Sequence, residues 1–154
     1  MSSSAAPATR EPVLPVLAGR VVLVTGAGRG VGAGIAASAA AAGAQVVVTA
    51  RKPHAGAAVA KGITDRGDRA VAIRCDVSVR ADIEAAIAET LDRFGALHGL
   101  VHNATSSYSS HPVPFQDVTD EDWDDQVVVA LRAAYHLAQV ALPICARSAA
   151  ATSS

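Results

Sequence analysis

Leu-Val-Thr-Gly-Ala-Gly-Arg-Gly-Val-Gly-Ala-Gly, residues 23–34, is the stretch from which the fold is read. Before it, Arg20–Thr25 is a short Val-rich apolar run, as in a buried parallel strand. After it, Val31–Ala42 is Ala-rich and reads as a helix. Strand, glycine turn and helix make the first half of a nucleotide-binding βαβ unit. Glycines let the backbone turn sharply and approach a ligand with no Cβ in the way. The helix N-terminus then offers unpaired N–H groups and a partial positive charge to a pyrophosphate.

The glycines fit two registers. Gly28, Gly30 and Ala33 match G-x-G-x-x-A, whereas Gly26, Gly30 and Gly32 match T-G-x-x-x-G-x-G from Thr25. We prefer the second, because Thr25 closes the strand. Close helix–sheet packing alone is the other use such glycines have.

The chain has 154 residues, enough for one domain with a core. Its net charge of −1 gives no basic surplus for nucleic acid. Cys75 and Cys145 form no C-x-x-C pair and suit a reducing cytosol. The Ser/Ala/Pro-rich start has no apolar segment of a secretory signal. No unbroken apolar run reaches the roughly 18 residues of a membrane span. The expectation is therefore a cytoplasmic protein with neither nucleic-acid nor membrane partner.

Residues 1–17, with Pro7, Pro12 and Pro15, read as a disordered tail, and 18–147 as the folded domain. Further strands are expected at Gln45–Ala50, Arg69–Cys75 and Leu97–His102. Helices are expected at Ala55–Arg66 and Val79–Phe94, the latter capped by Ser78. Gly43, Gly67 and Gly95 end the three helices. A polar loop over Asn103–Gln116 leads to a long helix from Asp120, with Thr119 and Asp122 spaced as a capping box. Its apolar residues Trp123, Val127, Leu131, Tyr135, Ala138 and Leu142 share one face. Pro143 lies near its end, and residues 148–154 read as a frayed tail. The β-α alternation implies an α/β, Rossmann-like, doubly wound parallel sheet. About four strands are expected, in the order 3-2-1-4 by analogy with such folds.

Cofactor choice follows from the end of the second strand. An NAD site usually places Asp or Glu there for the ribose 2′-OH. Here Ala50 is followed by Arg51 and Lys52, and Arg29 lies inside the glycine turn. A guanidinium attracts a 2′-phosphate that a carboxylate would repel. NADP(H) is therefore preferred over NAD(H), against the alternative that both arginines are ordinary solvated charges.

The T-G-x-x-x-G-x-G turn, Asp76-Val77 after the third strand, and His102-Asn103-Ala104-Thr105 after the fourth are in the order found in one family. From about Ala18 to Pro143 the chain resembles the short-chain dehydrogenase/reductase family. The resemblance implies that Asp76-Val77 contacts adenine and that the fourth-strand motif lies beside the cofactor ribose. The residues read as cofactor-binding are Thr25, Gly26, Arg29, Gly30, Val31, Gly32, Arg51, Asp76, Val77, Asn103 and Ala104.

Three departures from the family pattern stand out. His102 and Thr105 replace the first Asn and last Gly of Asn-Asn-Ala-Gly. Ala130 stands where the long helix of the family carries an Asn for a proton-relay water. The family's catalytic Tyr-x-x-x-Lys is missing: Tyr108 is followed by Pro112 and Tyr135 by Gln139, and the only lysines are Lys52 and Lys61. Further strands after the long helix are also missing.

The chain thus reads as the cofactor-binding part of a reductase, incomplete and without catalytic residues, its fourth strand an exposed edge. Alternatives are a non-catalytic NADP-binding module, self-associating or pairing with a longer relative through the helix 120–147, and a truncated gene product. His98 and His102 stand about 13 Å apart if they lie on a strand, too far for one metal ion. The Ser106–Ser110 cluster reads as loop, and Asp120–Asp125 as favourable helix-start charge.

Overall fold

The structure, a computed structural model, describes residues 14–106 and 113–152. Four parallel strands carry the core: β1 (Val21–Val24), β2 (Gln45–Ala50), β3 (Arg69–Arg74) and β4 (Gly99–Val101). Their order is β3-β2-β1-β4, the doubly wound order expected from the alternation. Between them run α1 (Gly30–Ala41), α2 (Pro53–Thr64) and α3 (Arg80–Phe94). A single 3-10 turn, Phe115–Asp117, precedes a long helical stretch. That stretch is α4 (Asp120–Gln126), a π segment (Val127–Arg132) and α5 (Ala133–Thr152).

Strand side chains alternate between two cores. Val22 and Val24 of β1 and Val46 and Val48 of β2 meet Ala36 and Ala40 of α1 and Ile63 of α2. Val21, Leu23 and Val47 face the other way, onto Ile83 and Ile87 of α3 and Ala133, Leu137 and Ala141 of α5. Alanines on α1 let that helix approach the sheet closely. β1 and β2 are nearly fully buried, whereas β3 and β4 are half-buried edges. Leu23, 1% exposed, sits mid-sheet. Truncating it to Ala would cost about 2–5 kcal/mol.

Several boundaries differ from expectation for local reasons. α2 starts at Pro53, two residues early, because proline's fixed φ suits the first helical position. Ser78 does not cap α3: the N-cap is Val79, and the Ser78 hydroxyl donates to Asp76 Oδ1 at 2.7 Å instead. Leu14–Leu17, expected in the tail, is ordered by turns. The Leu17 N–H donates to Ala42 O at 2.8 Å, and Leu17 packs on the core. α5 continues through Pro143 to Thr152 where fraying was expected. Alanine is the best helix former, and Ser148 Oγ accepts from the Leu97 N–H at 3.2 Å. The Thr119–Asp122 capping box forms as read.

The long helix needs one further correction. Asp120–Ala151 holds an 18-residue window of mean hydropathy 1.5, long and apolar enough to cross a membrane, with 22% of the window buried. No unbroken apolar run was needed for that. A core helix of a soluble protein meets the same criterion, and here one face packs on α3 and the sheet through Ala133, Leu137 and Ala141. The stripe Trp123, Leu131, Tyr135 and Leu142 faces outward instead.

Candidate functional site

The site lies where β1 and β4 end side by side, at the point where strand order reverses. Chain leaving β1 turns toward β2, and β4 arrives on the other side, so a crevice opens at the carboxyl ends. The Thr25 N–H donates to Val101 O and the Ala27 N–H to Thr49 O, which pins the glycine turn to both neighbours.

The structure decides between the two glycine registers. Gly26 (φ +63°) and Gly30 (φ +56°) have left-handed backbones that disfavour side chains. A Cβ at Gly26 would also lie 2.7 Å from Ala104 Cα. A Cβ at Gly32 would collide with the Asn103 amide and lie 2.6 Å from Gly26 O. Gly28 has ordinary backbone and faces Ala50 and Ala55, a packing role. Gly26, Gly30 and Gly32 are therefore the glycines that shape the turn. Over Gly30 a Cβ would meet open space, and Arg29, the N-cap of α1, makes no side-chain cap bond. The first N–H groups of α1 thus face a cradle that fits a phosphate.

The other expected residues converge on the same rim. Ala50 closes β2 as buried floor, and Arg51 beyond it is exposed, as are Arg29 and Val31. Val77 is buried. Burial pulls the Asp76 carboxyl upward, but the Ser78 hydroxyl and N–H, then Arg51 and Arg74, outweigh it and hold Asp76 below its ordinary value. Asp76 thus stays a carboxylate near Arg51. Thr25, expected to touch a cofactor, is fully buried. Its hydroxyl oxygen accepts from the backbone N–H of Asn103 (3.1 Å) and Ala104 (3.2 Å). It shapes the turn from beneath. Asn103 Nδ2 donates to Thr25 O and Gly26 O, both at 3.2 Å.

Sequence reasoning ruled out His102 as a metal ligand with His98 and gave it no further role of its own. The structure places its Nδ1 2.9 Å from Thr25 Oγ1, and its Nε2 3.1 Å from Val129 O and 3.2 Å from Ala130 O. The signal was strand register: Val24 pairs with Val101, so the next residues along, Thr25 and His102, are neighbours. His98 lies at the other end of β4, where its Nδ1 accepts from the Val21 N–H. Burial, then Arg20, lowers its pKa. No grouping of metal ligands occurs among the described residues. Tyr108 and Ser107–Ser110 lie outside them. Tyr135 is exposed on α5, its hydroxyl accepting from Gln139. A groove of about 580 Å³ opens at the amino ends of the strands, by Gly19, His98 and Arg147, away from this chemistry.

A sequence model of the family described as short chain dehydrogenase matches residues 20–152. The chain belongs to the short-chain dehydrogenase family. Its members bind nicotinamide dinucleotides.

Among relatives of this short-chain dehydrogenase chain, an L-fucose dehydrogenase of Oryctolagus cuniculus is 40% identical over 133 residues, covering 85% of this chain and 44% of the relative. A hydroxynaphthalene reductase-like protein of Metarhizium majus is 39% identical over 126 residues, covering 80% and 45%. The solved hydroxysteroid dehydrogenase of Escherichia coli superposes with TM-score 0.76 at 32% identity, covering 82% of this chain and 52% of that one. A metagenomic short-chain oxidoreductase in complex with NADP superposes with TM-score 0.74 at 35% identity, covering 83% and 57%. The chain spans about half the length of these relatives.

Proposed function

We propose that this chain is the NADP(H)-binding part of a cytoplasmic oxidoreductase, with NADP(H) preferred over NAD(H). The observation that carries the preference is the end of β2. The residue that follows β2 is Arg51 rather than a carboxylate, beside a left-handed glycine turn bearing Arg29. The similar metagenomic oxidoreductase that holds NADP supports the same choice.

The glycine turn and the start of α1 take the pyrophosphate. Arg51 and Arg29 take the 2′-phosphate, and Asp76 with Val77 borders the adenine. Asn103 and Ala104 border the ribose, Val31 lies beside the turn, and Thr25 holds it in shape. Bound NADP(H) would supply or accept a hydride. In a longer protein that hydride passes between the nicotinamide and a carbonyl or alcohol carbon. By itself the chain is inactive, because no lysine follows Tyr108 or Tyr135 by four residues to lower a tyrosine pKa.

The test titrates the purified chain with NADPH and NADH, then adds NADPH with a panel of ketones. Selective NADPH binding without turnover is expected. Equal binding of both cofactors refutes the preference, and robust turnover refutes the inactivity.

A second reading is favoured by the exposed stripe of Trp123, Leu131, Tyr135 and Leu142, each more than half exposed. Such a stripe marks an association surface. The chain would then act as a non-catalytic module that self-associates or pairs with a longer relative. Co-elution with a complete reductase supports this, and a strictly monomeric chain in its presence opposes it.

A further inference from the structure

We propose that His102 is a positioning residue. Held as the neutral Nε2–H tautomer, it ties the glycine turn to the π segment of the long helix, so that neither moves alone.

The proton arrangement follows from counting donors and acceptors. A threonine hydroxyl has one hydrogen to donate and two acceptor positions. Thr25 Oγ1 already accepts from two backbone N–H groups, those of Asn103 and Ala104. Its own hydrogen is therefore donated, and the partner in reach is His102 Nδ1 at 2.9 Å. Nδ1 thus presents its lone pair, and the proton of the neutral ring sits on Nε2. There it meets two acceptors, the carbonyls of Val129 and Ala130. The opposite tautomer would press a third donor on a filled oxygen and aim a lone pair at two carbonyls. An imidazolium would repeat the first fault.

The helix side is equally particular. Val127–Arg132 is π-helical, and both carbonyls belong to it. A π turn departs from the regular i→i−4 ladder, and both such a turn and a side chain inserted into the ladder are known causes of helix kinks. From Nδ1 the chain of bonds runs through Thr25 and Asn103 to Gly26 O. One ring thus joins two elements that only strand register brings together.

The effect on cofactor rests on the dinucleotide reading, whereas the tautomer and the tie do not. The first test is a long-range proton–nitrogen spectrum of the folded chain labelled with 15N-histidine. The His102 signal among five histidines is the one lost in His102→Asn. A protonated Nε2 and bare Nδ1 are expected. An Nδ1–H or averaged pattern overturns the assignment.

The second test uses two variants. His102→Asn carries an amide within Nδ1's reach and serves Thr25. His102→Gln reaches Nε2's place and serves the helix. Amide exchange at Asn103 and Ala104 should stay slow in the Asn variant and speed up about tenfold in the Gln variant. In both, exchange within residues 26–30 should quicken, and NADPH should bind roughly three- to tenfold more weakly. Unchanged exchange at the turn in both variants overturns the tie. A wild-type chain that ignores NADPH rejects the cofactor reading and leaves the exchange result to judge His102.

Discussion

Gly32 and Gly34 stand two residues apart in α1, both with ordinary helical backbone, and differ in what a Cβ would meet. Replacing either by alanine brings the same intrinsic gain, about 1 kcal/mol. At Gly34 nothing lies within 4 Å, so the gain stands alone. At Gly32 the new methyl would overlap the Asn103 amide and the Gly26 carbonyl. Overpacking of that kind costs about 1–3 kcal/mol. Displacing Asn103 also weakens its two bonds, to Thr25 O and Gly26 O, each worth about 0.5–1.5 kcal/mol. The net is about 1–5 kcal/mol of destabilisation for Gly32→Ala and about 1 kcal/mol of stabilisation for Gly34→Ala. At this chain length 1 kcal/mol moves Tm by roughly 2–4 °C. Thermal and urea unfolding by circular dichroism should give opposite shifts for the two variants. Equal shifts, or a Gly32→Ala protein as stable as Gly34→Ala, would refute the close approach that selects the glycine register.

Arg51→Ala should weaken NADPH by about 1.5–3 kcal/mol, roughly ten- to hundredfold, and leave NADH nearly unchanged in the same titration. Asp76 and Asp122 both have folded pKa values below their ordinary 3.8, so their contribution is present above the unfolded value and lost as pH falls through the folded one. Unfolding monitored from pH 6 downward should thus show stability falling below about pH 4, a fall flattened in the Asp76→Asn and Asp122→Asn variants. Burial, then Asp82 and Asp76, push the Cys75 thiol up to about 11. At pH 8 iodoacetamide should leave Cys75 unmodified in the native chain and label it quickly in urea; fast native labelling, mapped by mass spectrometry, would contradict its burial.

Local rules made much of this fold legible. β2 occupies the expected Gln45–Ala50, because a Val run between Gly43 and the basic pair Arg51-Lys52 has few other states. The capping box at Thr119 was readable because both of its partners lie within one turn. Ser78 was misread because its hydroxyl, instead of accepting from a backbone N–H at the start of α3, donates to Asp76 Oδ1. In the site, the glycine pattern and the preferred register from Thr25 were readable, but the close contacts behind that register, with Ala104 and Asn103, were not, because those residues lie far along the chain. Thr25 and His102 show the same limit. Each looks ordinary in its own segment, and their roles exist only once β1 and β4 lie side by side.

The strand order also sets a sequence of assembly. β1, β2 and β3 are consecutive in the chain and adjacent in the sheet, so they can pair as soon as they are made. β4 must return across a separation of 77 residues to reach β1, and longer closures carry a greater entropic penalty. Asn103 and Ala104 arrive with that last strand, whereas the glycine turn, Arg51 and Asp76 belong to the part made first. A dinucleotide held as proposed, across both parts, would bind only after β4 has docked. At a hundredfold excess over Kd such a ligand adds about 2.7 kcal/mol in favour of the docked state. The cofactor pool would then act as a latch, setting how long the last strand stays home.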